Sequence, residues 1–183
     1  MGRRFGLDLS LNSPAVCVLA DSGVFEDSNL FYQTDKKKLA GTFGNVTGFL
    51  RSEYSCELER YDNIARWFCG IYSTWAEDGA LVVLEGYSMG SKGRVFHIAE
   101  NTGILKHYMW QLGIPWIDAP PTSVKKFATG KGNADKQVMH DAFKRDTGFD
   151  MHNFLQPTTK KIGNPVSDLV DAWFLSKYPD SLN

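Results

Sequence analysis

Cysteine is scarce in this chain, and its pattern excludes several kinds of site. Only three cysteines occur among 183 residues, Cys17, Cys56 and Cys69, and no two of them form a CxxC pair. An odd number at this spacing argues against a disulfide framework and a cysteine-rich zinc site, and it suits a reducing compartment. The chain also lacks the apolar run of about 18 residues that a membrane helix needs, and its N-terminal residues lack the apolar stretch of a signal peptide. We therefore expect a cytoplasmic protein with no membrane partner.

A large excess of positive or negative charge is also absent. The formal net charge is −1, so the overall field of the molecule does not select a class of partner, and only local clusters of charge can do so. A length of 183 residues with 43% hydrophobic side chains allows one domain with a sizeable core. Because no internal repeat or low-complexity tract divides the sequence, we expect residues 1–183 to form a single domain.

Short apolar segments separated by turn residues predict three strands at the start of the chain, Phe5–Leu9, Ala15–Leu19 and Leu30–Tyr32. Strands joined by such short turns should pair antiparallel. Residues 35–56 contain several glycines, three consecutive lysines and no clean periodicity. We therefore interpret 35–56 as a loop or a small insertion.

The remaining sequence alternates between helical patterns and buried strands. "ALVVLE" and "IPWIDA" have the short apolar form of strands buried on both faces. Apolar residues at helical spacing, together with capping residues, predict four helices: Glu57–Trp75, Gly93–Leu112, Ala134–Arg145 with Asn133 as its cap, and 164–178 with Asn164 as cap and Pro165 at the first position. This order predicts an α/β fold with a mixed five-stranded sheet, three antiparallel strands followed by parallel ones, flanked by helices.

Two aspartates in the last, mostly apolar helix indicate a site. Asp168 and Asp171 are three residues apart and so share one helical face, while Asp8 lies in the first strand and Glu85 ends a buried one. Sites in α/β sheets form just beyond strand ends, so the four acids could converge there. Clustered carboxylates repel one another unless their pKa values rise or a cation neutralises them. Oxygen ligands without histidine or cysteine favour Mg²⁺ or Mn²⁺.

Each acid taken alone also has a structural explanation. Asp168 falls in the first helical turn, where the helix dipole favours an acid. Asp8 could cap the "LNSP" turn, and Glu85 could pair with a lysine at the end of its strand. Asp171 is harder to explain in this way, since it lies in the second turn between Val170 and Ala172. The order of the four acids along the chain favours a shared site.

That order and the motifs around it resemble those of the RuvC-type Holliday junction resolvases, in the ribonuclease H-like superfamily. "FGLDLS" is similar to their first-strand acid motif, "VVLEGYSMG" to the segment with their glutamate, and "SDLVDAW" to their closing motif. The most specific likeness is "PTSVKKFATGKGNADKQV", which resembles their basic segment. The four motifs occur in family order and span residue 4 to about residue 178.

The resemblance implies an activity and a set of catalytic residues. Asp8, Glu85, Asp168 and Asp171 match the catalytic, metal-binding carboxylates of the family, with Asp8 between two ions. The implied cofactor is Mg²⁺, two ions per site, with Mn²⁺ able to substitute. Two such ions about 4 Å apart activate a water and stabilise the leaving oxygen in phosphodiester cleavage. The expected enzyme is a magnesium-dependent endonuclease of DNA recombination and repair that resolves Holliday junctions, leaving 5′-phosphate and 3′-hydroxyl ends.

Basic residues around these motifs predict the DNA contacts, because clustered lysines neutralise phosphates without reading bases. A solvated lysine face is the alternative, and for the lysines at 36–38 neither interpretation is favoured. Tyr87 is the nearest candidate for the aromatic residue that the family places near the junction centre. The predicted DNA-binding residues are Tyr87, Lys92, Arg94, Lys125, Lys126, Lys131 and Lys136.

The symmetry of a four-way junction requires two active sites and therefore predicts a homodimer. We expect it to form through the helix Gly93–Leu112, whose far face carries Phe96 and His107. Residues 35–56 exceed the corresponding family connection, as expected of a phage-type member acting in the host cytoplasm. Two alternatives stay open: a ribonuclease H or other nuclease on the same fold, and a non-catalytic nucleic-acid-binding scaffold.

Overall fold

The computed structural model describes residues 2–87, 95–156 and 158–179. The strands in these ranges are β1 Arg4–Asp8, β2 Ala15–Leu19, β3 Asn29–Thr34, β4 Gly41–Phe43, β5 Val46–Leu50, β6 Leu81–Glu85 and β7 Trp116–Ala119. The helices are α1 Glu57–Trp75, α2 Val95–Gln111, α3 Pro121–Thr129, α4 Lys136–Thr147, α5 Met151–Leu155 and α6 Val166–Lys177, with a 3₁₀ turn at Lys37–Leu39. None of the helices described is both long and apolar enough to cross a membrane.

The strands form one mixed sheet in the order β4-β5-β3-β2-β1-β6-β7. β1, β2 and β3 pair antiparallel, whereas β6 and β7 continue the sheet parallel to β1. The five predicted strands and their directions are therefore confirmed. β1 and β3 both run antiparallel to β2, so they are parallel to each other and end at the same edge as β6 and β7.

The prediction of a loop at 35–56 was wrong in part, because this segment adds two strands and makes the sheet seven-stranded. β5 pairs parallel to β3, and β4 pairs antiparallel to β5 as the outermost strand. Both strands are short, contain or begin with glycine, and β4 is largely exposed. Such strands lack the alternation of buried and exposed residues on which a prediction depends.

Helices cover both faces of the sheet and define two cores. On one face, α1 and α2 enclose a core built around Phe5, Phe68 and Met109. On the other face, α3 to α6 enclose a second core built around Phe143 and Trp173. Successive strand residues point to opposite faces, so Phe5 and Leu7 of β1 enter the first core while Gly6 and Asp8 face the second.

The helix caps differ from the prediction at two positions. Asp135, and not Asn133, caps α4, and its side chain accepts a hydrogen bond from the Val138 amide. α6 begins at Val166 with Pro165 at the cap position, because the side-chain oxygen of Asn164 instead accepts hydrogen bonds from Lys136 Nζ and the Ser167 hydroxyl. Part of the basic segment also forms a helix of its own, α3, which ends at Gly130 in a left-handed conformation with φ of 78°.

Candidate active site

Asp8 and Glu85 lie side by side at one edge of the sheet. Leu7 of β1 is in register with Leu84 of β6, and the two acids are the next residues on these neighbouring parallel strands. Adjacent strands are about 4.8 Å apart. Leu7 and Leu84 both face the first core, so the alternation turns both carboxylates toward the second face, which α6 covers.

A close approach of α6 to β1 brings Asp168 and Asp171 to the same place. A Cβ atom at Gly6 would collide with the Ala172 carbonyl oxygen and the Ser176 amide nitrogen. The helix therefore lies directly on the strand only because residue 6 has no side chain. Arg4 Nε also donates to the Ser176 carbonyl oxygen at 2.8 Å. The resulting position of α6 sets its first two turns beside the end of β1.

Burial of the four carboxylates, together with repulsion between them, raises their pKa values. Burial is the largest cause in each case, and it raises the pKa of Glu85 to about 7, of Asp168 to about 6 and of Asp171 to about 8. The pKa of Asp8 is also raised well above its ordinary value, first by burial and then by the charges of the other three acids. Four acids with raised pKa values in one place are typical of a functional site.

Two lysines partly offset this repulsion. Lys125 of α3 lowers the pKa of Glu85 and Asp171, while Lys136 at the start of α4 lowers that of Asp168 and Asp171, against the larger effect of burial. Both lysines were predicted as phosphate contacts. Their position shows that they also stabilise the ionised form of the acids.

A polar network holds Asp168 in place. The Ser167 hydroxyl accepts from Lys136 Nζ at 3.1 Å and lies within donating distance of Asn164 Oδ1 at 3.0 Å and Asp168 Oδ1 at 3.3 Å. Asp168 Oδ2 is buried and has no hydrogen-bond partner among the described residues. An orphaned buried carboxylate oxygen is costly unless it is protonated or binds a cation.

The side chains fit a hard divalent cation in their chemistry. All four donors are carboxylates, the preferred ligands of Mg²⁺ and Mn²⁺, and Asp168 Oδ2 is left for a ligand bond. In residues 2–87, 95–156 and 158–179, however, no three or more Asp, Glu, His or Cys side chains are already gathered closely enough to hold an ion.

A cleft of about 380 Å³ opens beside these acids. Its lining includes Asp8, Glu85, Tyr87, Asn12 and Lys125. The Tyr87 side chain is 46% exposed, and Lys106 Nζ lies 5.8 Å from the centre of its ring. The cleft therefore joins two of the acids, Asp8 and Glu85, to a lysine and an exposed aromatic ring.

The structure separates the remaining predicted DNA contacts. Lys126 and Lys131 are exposed near the end of α3, and unlike Lys125 they do not line the cleft. Lys92 and Arg94 lie outside the described residues. Sequence reasoning missed Gly6, Asn164 and Ser167, which position the acids. The glycine before the "LD" of "FGLDLS" was the available signal for a close helix contact.

Comparisons with known proteins agree with this geometry. No family model matches the chain. Over 94 residues the chain is 26% identical to the crossover junction endodeoxyribonuclease RuvC of Gloeobacter violaceus, a match that covers 51% of this chain and 52% of that protein. The chain thus spans about half the length of the curated relative it matches.

Solved structures extend the likeness to nearly the whole chain. Thermus thermophilus RuvC in complex with a Holliday junction substrate superposes with a TM-score of 0.60 at 13% identity, covering 96% of this chain and 92% of that one. The chain has the fold of RuvC. A second Thermus thermophilus RuvC structure has a TM-score of 0.54 at 16% identity, covering 93% of this chain and 90% of that one.

A third structure, the yeast mitochondrial Holliday junction resolvase Ydc2, has a TM-score of 0.51 at 10% identity and covers 94% of this chain and 75% of that one. At such identities the likeness to the RuvC structures establishes the fold. The ribonuclease H-like class predicted from the sequence is confirmed, with two additional strands at one side of the sheet.

Proposed function

We propose that this chain is a metal-dependent endonuclease that resolves Holliday junctions and cuts other branched DNA by paired phosphodiester cleavage. The observation that carries the proposal is the convergence of Asp8, Glu85, Asp168 and Asp171 beside a lysine-lined cleft on a RuvC fold. Its products would have 5′-phosphate and 3′-hydroxyl ends. Residues 1–183 would act as one nuclease domain, since both cores pack on the same sheet.

In this proposal the four acids hold Mg²⁺, two ions per site, with Mn²⁺ able to replace it. When bound, the ions would supply activation of a water and neutralisation of charge on the phosphate. Lys125 favours the ionised form of Glu85 and Asp171 that metal binding needs, since it lowers their pKa and so offsets part of the effect of burial. Ser167 and Lys136 orient Asp168 through the network described above.

DNA would be positioned by groups around the cleft. Lys125 and Lys136 contact the phosphates nearest the acids, and Lys126, Lys131, Lys92 and Arg94 extend the contact. Such contacts are independent of sequence and sensitive to salt. Tyr87, exposed at the cleft, would stack on a base at the junction centre, as aromatic side chains do with unpaired bases.

We further infer a homodimer that cuts two strands symmetrically. α2 supports this proposal because it exposes apolar side chains: Phe96 is 77% exposed and Trp110 is 70% exposed, and His107 lies on the same exposed surface. Exposed apolar patches of this kind mark association surfaces. The additional strands β4 and β5 support assignment to a divergent, phage-type branch.

The test is a mobile four-way junction labelled on each strand in turn, incubated with the protein in Mg²⁺ and separately in EDTA. Linear duplex and an RNA–DNA hybrid serve as control substrates. Paired, symmetric, metal-dependent cuts in the junction alone are expected. Cleavage of the hybrid would assign the chain to the ribonuclease H activities instead, and tight junction binding without cleavage would identify a scaffold.

A further inference from the structure

Two lysine-rich segments far apart in the sequence meet at a second cavity. The cavity has a volume of about 220 Å³ and is lined by polar side chains over an apolar base of Leu39 and Leu155. Its polar lining consists of Lys36, Lys38, Gln156, Thr158 and Thr159. About 120 residues separate the two segments in the printed sequence, so the fold, and not local sequence, creates this concentration of ammonium and hydroxyl groups.

This cavity lies at the same edge of the sheet as the four acids. Lys36 follows β3 by two residues, and β3 is parallel to β1, so the chain leaves β3 at the edge where Asp8 ends β1. Asp8 is in register with Ala15 of β2, and Ala15 with Tyr32 of β3, which is two strand spacings away. Lys36 and Lys38 follow Tyr32 by four and six residues, at the same edge of the sheet as Asp8.

Hydrogen bonds join the cavity to the active site. Gln156 Nε2 donates to the Asn164 carbonyl oxygen at 2.8 Å. The Asn164 side chain accepts from Lys136 Nζ at 3.1 Å, and both bond to Ser167 beside Asp168. The cavity and the carboxylates thus border one continuous polar surface.

The charge of this surface is not compensated within the described part of the chain. Lys36, Lys37, Lys38, Lys160 and Lys161 are all exposed, and no acidic side chain in the described ranges lies within 4 Å of any of them. The neighbouring Asp35 pairs with Arg51 at 3.7 Å. Ammonium groups gathered in this way repel one another, so an anion bound among them would be stabilised.

We propose that the cavity-lining Lys36 and Lys38 form an arm-binding patch, together with Lys160 and Lys161 directly after Thr159 in sequence. The patch holds backbone phosphates of a duplex arm of the DNA substrate. The inference rests on the proposed function and extends it to a contact outside the cleft. The contacted phosphates would lie in the arm outside the cleft, because the patch follows β3, which is two strands from β1 in the sheet. The Thr158 hydroxyl would add a hydrogen bond to a phosphate oxygen, as hydroxyl groups commonly do.

The experiment compares two variants that each lose two positive charges. Lys36→Gln with Lys38→Gln alters the arm-binding patch. Arg145→Gln with Lys177→Gln is the control of equal charge, because both residues lie in the last turns of α4 and α6, at the helix ends remote from Asp168 and Lys136. Lys177 also pairs with Asp146 at 2.8 Å. Junction affinity is measured in EDTA over a range of salt concentrations, and thermal unfolding verifies that both variants are folded.

The patch variant should bind the junction about 10-fold more weakly than the wild type, the sum of two exposed charge contacts. The slope of log affinity against log salt should fall by about 1.8, which is about 0.9 for each lost phosphate contact. The control variant should retain the wild-type slope. Equal effects in the two variants would overturn the proposal.

A scan with neutral methylphosphonate linkages locates the contact. In the wild type, a neutral linkage at one or two positions within a duplex arm should weaken binding, whereas the same linkage should cost the patch variant nothing, because the contact is already lost. A linkage that weakens both proteins equally would overturn the arm-binding patch.

The outcomes for the patch and for the nuclease are separable, because binding is measured without divalent ions. A wild type that binds through the patch but does not cut would overturn the nuclease alone. A wild type that cuts junctions, with a patch variant that binds as well as the control, would overturn the patch alone.

Discussion

At the scale of single residues, the molecule concentrates acids whose ionisation is unfavourable. Burial and mutual repulsion hold the pKa of Asp171 at about 8 and that of Glu85 at about 7, so at neutral pH the metal-free site retains protons. A divalent ion would neutralise the carboxylate charges and so lower these pKa values, and its binding should therefore release protons.

The first prediction concerns Asp171→Asn. This change should reduce junction cleavage in Mg²⁺ at least about a hundredfold, because it removes a proposed metal ligand. Even the loss of a residue that only hydrogen-bonds to a metal ligand costs roughly 10- to 100-fold in activity. Junction binding in EDTA should be retained or improve, because a negative charge near the DNA is removed. Cleavage and gel-shift assays on the same preparation measure both, and wild-type cleavage by this variant would contradict the four-carboxylate site.

The second prediction concerns stability and pH. An acid with a raised folded-state pKa binds protons that the unfolded chain has released, so the free energy of unfolding should fall as pH rises from about 4 toward 8. The slope is about 1.4 kcal/mol per pH unit for each proton of difference. Urea unfolding in EDTA should show this fall, and Mg²⁺ should diminish it.

Asp171→Asn serves as the reference for that profile. It should remove part of the fall between pH 6 and 8, and the difference between the two profiles isolates the site. Subtraction is needed because burial lowers the pKa of His140, and a buried neutral histidine changes stability in the opposite direction. Identical profiles for the two proteins would show that Asp171 is not held protonated.

At the scale of elements, the contact between α6 and β1 determines whether the site forms. The third prediction is that Gly6→Ala destabilises the fold by about 3 kcal/mol and weakens cleavage further, because the added methyl group forces α6 away from β1. Thermal and urea unfolding measure the first effect, and cleavage at a temperature where the variant is folded measures the second.

Gly70→Ala is the matched control for that substitution. A Cβ at Gly70 in α1 meets no atom within 4 Å, so alanine there should stabilise the helix by up to about 1 kcal/mol. If Gly6→Ala were as stable as Gly70→Ala, the close contact between α6 and β1 would not be required.

The elements also show which features a single sequence can predict. Glu57–Trp75 was predicted with the bounds that α1 has, because its apolar residues recur at helical spacing over nineteen positions. β4 and β5 were missed, since three- and five-residue strands with glycine carry no clear period. α3 was missed because only Val124 is buried within its lysine-containing sequence.

The candidate site, like the helices and strands, was predictable from the sequence only in part. The order of the four acids along the chain pointed to them, and alternation along β1 and β6 accounts for the direction of two of them. The role of Gly6 depends on its contact with Ala172 and Ser176, more than 150 positions away in the sequence. The role of Ser167 depends on hydrogen bonds with three other side chains. No local sequence pattern encodes such contacts. The assignment of the acids as metal ligands stays a prediction.

At the scale of the whole molecule, a net charge of −1 conceals a polarised edge, with acids at the cleft and lysines around it. DNA affinity should therefore depend steeply on salt although the protein as a whole is nearly neutral. The cytoplasmic location expected from the cysteines stays a prediction.

The fourth prediction concerns the homodimer. Phe96→Glu should shift the protein to a monomer in analytical ultracentrifugation, because it places a charge in the exposed apolar surface of α2. Cleavage of a supercoiled plasmid with a cruciform should then yield nicked circles in place of linear product, since the two cuts would no longer be paired. Leu58→Glu, at a 62% exposed position of α1, is the control that should stay dimeric. A Phe96→Glu variant that remains dimeric would exclude this part of α2 from the interface.

The connection between β3 and β5 has a consequence for how such a protein can diverge. It carries Lys36 and Lys38, yet it lies outside the strands that hold Asp8 and Glu85, and it is tied to the sheet only at the far side, through β4 and β5. In the proposed enzyme, insertions, deletions and charge changes before β4 would alter which DNA shapes are held without disturbing the chemistry of cleavage. Selection on substrate range can therefore proceed in that connection while the catalytic strands remain unchanged.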